Sequence, residues 1–380
     1  MGREPLELNR PYGVPVERLN GGAPIISPSN NWWETGVTFN PAAVYLEPGD
    51  PVIRALLPMR RVDDPDLREG VVAIHYRARP EQDPGSAFGR SFIGLAVFTP
   101  DLRLLYRYQE PVVFPSADPN GPDALGVEDP RITRFGDRFY MVYCGVQADP
   151  ATNWRARLCM AVSEDLVHWT KLGPMPGELN QVNNKDGVLF PDVIGGKVYL
   201  LHRPFAAGWA HEDYVMRLAV SDSLAGPWED LGEILRAYPN PRMRATWVGA
   251  GSVPIAVGDG RYIEFFHTGN YLNKTDREYD VDVALLDFRA FDPDRPESLV
   301  TARLQPLMVP ETPAELRSRS QLQVGNVLFA CGSYIYQDWV YIIYGGADTY
   351  TLAARVRLDT LLKELEGAGL QNPYIGETEK

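Results

Sequence analysis

The sequence predicts an all-β chain closed as a single five-bladed β-propeller with a short C-terminal helix. Two repeats and one composition count carry that prediction. First, a turn followed by a short apolar run recurs five times: REGVVAIHYRA from Arg68, FGDRFYMVYCG from Phe135, IGGKVYLLHRP from Ile194, VGDGRYIEFFHTG from Val257 and YQDWVYIIYGG from Tyr336. Second, each run is followed by another apolar strand that ends in a turn at Asp101, Asp165, Asp222, Asp287 or Asp359, spaced 64, 57, 65 and 72 residues apart. Third, 34 glycines and 33 prolines in 380 residues supply the turns that such a fold needs.

Each run is short, rich in Val, Ile, Tyr and Phe, and bounded by turn residues, which is the strand signature. A unit of this length holds about four strands, the content of one propeller blade, and five blades close a ring with few exposed edges. Only Asp359–Gly367, DTLLKELEG, reads as helix, with an aspartate at its start and a glycine at its end. Residues 1–39 are expected to pack over the ring or reach towards a partner subunit, and residues 40–380 to form the propeller with its helix and tail. No linker, low-complexity tract or charge block divides the chain. A two-sheet sandwich is the competing architecture, but five matched strand pairs in order favour the ring.

The charge of −13 speaks against a nucleic-acid backbone or an anionic membrane as the main partner. Three cysteines, Cys144, Cys159 and Cys331, are too few and too scattered for a disulfide framework or a zinc site. The N-terminal residues MGREPLELNRPYG hold no apolar core of the roughly 7–15 residues that a signal peptide carries. No stretch approaches the roughly 20 apolar residues that span a bilayer. A cytoplasmic enzyme or binding protein is the expectation, with no metal required. Homo-oligomers are common among such enzymes, and the N-terminal extension and the tail after Gly367 are candidates to bridge subunits, although the sequence does not fix an oligomeric state.

In a propeller the innermost strand of each blade lines a central channel, so polar residues at those strand ends converge. The candidates occupy one phase of the repeat: Glu128, Asp129 and Arg131 in GVEDPRIT; Asn184, Lys185 and Asp186 in NNKDGV; His202 and Arg203 in LHRP; Trp247 in WVGAGSVPI; His267 in FFHTG; Asp348 in GGADTY. Each also has a plain structural reading. A DPR turn satisfies backbone amides, histidines at strand ends hydrogen-bond within cores, and Lys185 and Arg203 could neutralise Asp186 and Asp192. A carboxyl group beside arginine is held ionised, whereas one in a dry apolar pocket keeps its proton, so the partner of Asp129 decides its role.

GVEDPRIT, NKDGVLFPDVIGGKVYLLHRP, GAGSVPI followed by FFHTG, and CGSYIYQDWVYIIYGGADTYTLAARVRLDTLL together resemble glycoside hydrolase family 130, from FNPAA at Phe39 to Leu362. Members of that family are β-mannoside phosphorylases and, in a smaller group, β-mannosidases acting on 1,2 links, built as five-bladed propellers. The resemblance implies cleavage of a non-reducing-end β-mannosidic bond with inversion, by phosphorolysis to α-mannose 1-phosphate. It makes Asp129 the proton donor, acting through a sugar hydroxyl. Inorganic phosphate replaces the second carboxylate and water of an inverting hydrolase. Arg77, Arg131, Lys185, Arg203 and His267 are its candidate phosphate ligands, and Asn40, Glu128, Asp186, His202, Trp247 and Asp348 its candidate sugar-site residues. The expected partners are a β-mannoside oligosaccharide and phosphate, with no cofactor.

One departure stands out: phosphorylases of the family read KIGAG where this chain has WVGAG, so Trp247 replaces a lysine. Arg242 or Arg244 are candidates to compensate. A hydrolytic alternative needs a carboxylate to activate water, and Glu212 and Glu264 are the candidates. Trp247 is either a sugar platform or packing between blades, and Trp32, Trp33 and Trp209 are aromatic candidates for the acceptor sugar. A furanosidase-type propeller would need an aspartate where Asn40 stands. A catalytically inactive sugar-binding propeller is the remaining alternative.

Overall fold

The alternation of β-branched and aromatic residues in the five repeats is expressed as five antiparallel sheets. The computed structural model describes residues 13–61, 63–83, 89–240, 243–271, 276–318 and 324–374. Blade I runs Val37–Leu46, Val71–Arg79, Phe92–Phe98 and Leu104–Arg107 from the axis outward. Blade II follows with Gly126–Phe135, Arg138–Asp149, Asn153–Ser163 and Thr170–Pro174. Blade III is Asn183–Leu189, Val198–Phe205, Met216–Ser221 and Glu229–Leu235. Blade IV is Ala245–Ala250, Arg261–Tyr271, Arg277–Asp287 and Val300–Met308, with Ile255–Gly258 pairing beside the second strand.

Blade V closes the ring. Its inner strands are Leu328–Tyr336, Trp339–Gly346 and Tyr350–Arg357, and its outermost strand is Glu17–Arg18, paired with Arg355 and Ala354. The expected boundary at residue 39 is therefore displaced. It falls inside the first inner strand, and residues 17–18 are part of the ring because the last sheet lacks an outer strand of its own. Arg18 fastens this closure with charge-assisted bonds to Glu315 (2.8 Å) and Glu311 (2.6 Å) and a bond to the Val309 carbonyl (2.6 Å). Joining the two ends of the chain in one sheet removes an exposed edge.

Apolar side chains fill each gap between neighbouring blades, as between Phe139 and Leu95 or between Val188 and Phe266. The helix expected at 359–367 spans Leu358–Ala368, and Leu361 and Leu365, one turn apart, bury against blades IV and V. No described helix is long and apolar enough to cross a membrane. Cys144, Cys159 and Cys331 are free and buried.

The inner strands of blades I, II and III each carry a β-bulge, with register shifts at Phe39/Ala42, Glu128/Arg131 and Lys185/Val188. The bulged residues, Asn40, Asp129 and Asp186, have φ of 46°, 51° and 58°. Asn and Asp tolerate this left-handed region better than other side chains that carry a Cβ. A bulge re-aims the side chain it carries. Three blades thereby present a short polar group at the same level of the ring.

Candidate active site

Side chains from all five blades meet at these bulges. Asn40 of blade I donates from Nδ2 to Asp129 Oδ1 of blade II at 2.8 Å. Arg77, from the second strand of blade I, reaches the same Oδ1 through Nη1 at 3.1 Å and Glu128 Oε1 through Nη2 at 2.5 Å. Its Nε donates to Ser91 Oγ at 2.9 Å, and its guanidinium lies 4.8 Å from the Phe39 ring centroid. Lys185 of blade III donates to Glu128 Oε2 at 3.1 Å. Gly345 of blade V lies against Asn40: a Cβ there would sit 2.3 Å from Asn40 Oδ1.

A second cluster centres on Asp186. Arg203 Nε donates to its Oδ2 at 2.7 Å, His267 Nε2 stands 3.5 Å from the same oxygen, and Arg131 Nη2 stands 3.5 Å from Oδ1. Gly249 has no room for a side chain, since a Cβ would fall 2.2 Å from Asp186 Oδ2 and 2.6 Å from His267 Nε2. That close approach is what the GAG of WVGAGSVPI provides. Phe329 of blade V backs the cluster, 4.1 Å from the His267 ring and 5.5 Å from the Arg131 guanidinium.

Burial alone would raise the pKa of Asp129, but Arg77, Lys185 and Arg131 outweigh it, and with the Asn40 bond they hold the carboxyl below its usual range. Glu128 is lowered in the same way: burial opposes, and Arg77 and Lys185 prevail. Asp186 is held far down, because Arg203, His267 and Arg131 override its burial. Asp348, itself at φ 48°, moves the other way to about 6, since burial and the Asp129 charge outweigh Arg77 and Arg277. His267 is pushed down by burial and by Arg203 and Arg131 against the pull of Asp186, so it is neutral at pH 7.

Several expectations change here. Arg131 is not an open phosphate ligand: Nε donates to the Gly251 carbonyl, Nη1 to that of Asp129 and Nη2 to that of Ala250, at 2.9, 3.1 and 2.9 Å. Nε and Nη2 brace blade II against blade IV, and Nη1 ties back to its own strand. His202 does not join either cluster. Its Nδ1 accepts from Asn184 at 2.9 Å, and its Nε2 faces Asp230 at 3.4 Å, deeper between the strands of blade III.

Neither candidate for a hydrolytic base is placed to act. Glu264 is fully buried, accepts from the Gly251 amide at 3.0 Å and has its pKa raised well above the usual range by burial, so it is uncharged. Glu212 sits in the exposed turn His211–Asp213, where its own carbonyl accepts from Arg236 at 2.7 Å.

The aromatic candidates divide. Trp33 is buried, stacked at 5.9 Å on Tyr76 and donating to the Gln109 carbonyl, so it is core; Trp32 and Trp209 are exposed. Trp247 is 6% exposed and takes the Arg203 guanidinium 4.4 Å from its ring centroid. Arg244 lines a separate cavity with Glu212 and Arg236, and Arg242 lies outside the described residues. Two groups escaped the sequence reading. Trp154 stands 5.9 Å from Lys185 Nζ, and Arg79 adds positive charge beside Asp348 and Asp129. Arg79 was legible as the same-face neighbour of Arg77 two residues on, whereas nothing local marks Trp154.

What results is an ionised carboxylate, Asp129, with a half-buried carboxyl, Asp348, nearby, and a second carboxylate, Asp186, ringed by Arg203 and His267. Such a set of groups offers hydrogen-bonding partners for a polar ring and a cation for an anion. The family model described as β-1,4-mannooligosaccharide phosphorylase, of glycoside hydrolase family 130, matches residues 72–366. A 1,2-β-oligomannan phosphorylase from Thermoanaerobacter sp. is 28% identical over 342 residues, covering 88% of this chain and 95% of that protein. A β-1,2-mannobiose phosphorylase from the same organism is 29% identical over 232 residues, 60% of this chain and 66% of that protein. The solved β-1,2-mannobiose phosphorylase of Listeria innocua, in complex with β-1,2-mannobiose, superimposes with a TM-score of 0.65 at 20% identity, covering 96% of this chain and 99% of that one, which establishes a shared fold. The five-bladed ring, the bulged carboxylates and the match over most of the length agree: this chain belongs to glycoside hydrolase family 130.

Proposed function

We propose that this protein is an inverting β-mannoside phosphorylase, and that its bond is the β-1,2 link at the non-reducing end. The observation that carries the reading is the pairing of a candidate acid, Asp129, with a separate anion pocket at the Arg203 guanidinium beside His267, while Glu264 is buried and uncharged and Glu212 lies in an exposed turn. Hydrolysis with inversion needs a second carboxylate to deprotonate water. Phosphate arrives already charged, so the protein need only hold it in line with the anomeric carbon.

In the reaction a phosphate oxygen attacks C1 from the α face while the bond from C1 to the leaving sugar oxygen breaks. The proton reaches that oxygen from Asp129 through a sugar hydroxyl. Asp129 must first be protonated, whereas Arg77, Lys185 and Arg131 favour its carboxylate form. A phosphate bound at Arg203 adds negative charge near this network, and that raises the carboxyl pKa. Binding of the second substrate thus readies the acid. In this reading Asn40, Asp348 and Trp154 meet sugar hydroxyls and ring faces; the Asn40–Asp129 and Lys185–Glu128 bonds and the position of Trp154 beside Lys185 support it.

The β-1,2 assignment rests on the relatives: the protein aligned over 88% of this chain is a 1,2-β-oligomannan phosphorylase, whereas a β-1,4-mannooligosaccharide phosphorylase from Ruminococcus albus is 25% identical over 62%. One observation favours a second reading, β-mannoside hydrolysis: Trp247 stands in place of a family lysine. Incubating the protein with β-1,2- and β-1,4-mannobiose, each with and without inorganic phosphate, separates the readings. Phosphate-dependent cleavage of the β-1,2 disaccharide is expected, and equal release of mannose without phosphate would transfer the protein to the hydrolytic branch. The working compartment proposed is the cytoplasm, where phosphate is abundant.

A further inference from the structure

The Arg203 guanidinium is fixed by an unusual set of neighbours. Its Nε donates to Asp186 at 2.7 Å, while its Cζ lies over the Trp247 ring 4.4 Å from the centroid and over Phe205 at 5.4 Å. Among the described residues neither terminal nitrogen has a protein hydrogen-bond acceptor. A guanidinium against aromatic faces keeps its in-plane N–H groups open, in the fork geometry that suits phosphate oxygens.

Trp247 is held as firmly as the arginine. Its ring meets the edges or faces of His267 and Tyr279 at 5.3 and 5.1 Å, and Gly269 on the paired strand leaves it space: a Cβ there would lie 2.2 Å from the indole Cε2. The indole therefore has one orientation, and the arginine above it inherits one plane.

We infer that Trp247 is a positioning residue for the anion: its ring sets the plane of Arg203 so that both terminal nitrogens face one phosphate. Trp247 touches no reacting atom. It acts through Arg203, and this rests on the phosphorylase reading above.

The test varies phosphate at saturating β-mannoside with Trp247→Phe, Trp247→Leu, Arg203→Ala and the Leu/Ala double variant, each checked by thermal melting. Leucine fills part of the indole's space without a π face, and phenylalanine keeps one. Trp247→Leu is expected to raise KM for phosphate at least tenfold, with KM for the mannoside changed less than threefold. Trp247→Phe should recover most of that loss, and the double variant should be no worse than Arg203→Ala alone. An unchanged phosphate KM in Trp247→Leu, an equal loss in the Phe and Leu variants, or a double-variant loss equal to the product of the singles would each overturn the inference while the phosphorylase reading stands. Full-rate release of mannose by the unaltered protein without phosphate is a different result, and it would remove the reading itself.

Discussion

Arg77 and Asp129 are joined across a blade boundary, with Nη1 of the first 3.1 Å from Oδ1 of the second in a setting from which water is almost excluded. The same guanidinium also holds Glu128, so one cation from blade I fixes two adjacent carboxylates of blade II. The bond that orients the candidate acid therefore also ties the ring together.

Replacing Arg77 should accordingly cost stability as well as activity. Arg77→Ala leaves two buried carboxylates facing each other, and breaking a buried pair in this way typically costs about 3–5 kcal/mol. Chemical denaturation of the variant should show a loss of that order at pH 7. A loss below about 1 kcal/mol would mean that the pair is better hydrated than its burial implies.

Asp129→Asn preserves shape and the Asn40 contact but removes the proton. A positioned acid contributes roughly 10²–10⁴-fold to rate, and a loss in that range is expected in a variant that still melts cooperatively, at a temperature lowered by loss of the Arg77 ion pair. Turnover within tenfold of the unaltered protein would exclude Asp129 as the acid.

Stability should also depend on pH through a group remote from the chemistry. Asp282, on the third strand of blade IV, is fully buried; burial lifts its pKa to about 8, against the Thr268 hydrogen bond and the Arg303 charge. The unfolded carboxyl titrates near 4. Between those values the folded state binds the extra proton, so stability is fully present below about pH 4 and declines as pH rises towards 8. Asp282→Asn removes the titration. Its melting temperature should exceed that of the unaltered protein at pH 8, and the difference should shrink steadily towards pH 5. A gap that is constant across this range would assign the effect to packing.

Glu264→Gln offers a contrasting case. The uncharged Glu264 accepts one backbone hydrogen bond, which glutamine can also accept, so activity within about threefold is expected. A hundredfold fall would restore Glu264 as a base and favour hydrolysis.

Much of this architecture was legible before any coordinates. The five strand pairs announced five blades because burial on both faces demands unbroken apolar runs such as VVAIHY and VYIIY, and the helix at residues 358–368 declared itself through Leu361 and Leu365. The closing strand Glu17–Arg18 did not, since two polar residues carry no periodicity and acquire their role only from a partner more than 330 residues away.

Within the site, the bulges at Asn40, Asp129 and Asp186 were foreshadowed by their dipeptides NP, DP and DG. The fate of Arg131 was not, because sequence shows an arginine beside an aspartate but cannot show three backbone carbonyls taking its donors. His202 misled for a similar reason: one residue before Arg203 on a strand, it points to the opposite face.

The most direct test of the account follows the first product formed from β-1,2-mannobiose and phosphate by proton and phosphorus NMR. Inverting phosphorolysis predicts α-mannose 1-phosphate appearing in step with free mannose, one of each per bond cleaved, and nothing when phosphate is withheld. A β-configured sugar phosphate, or two free mannoses per bond at a rate indifferent to phosphate, would contradict it.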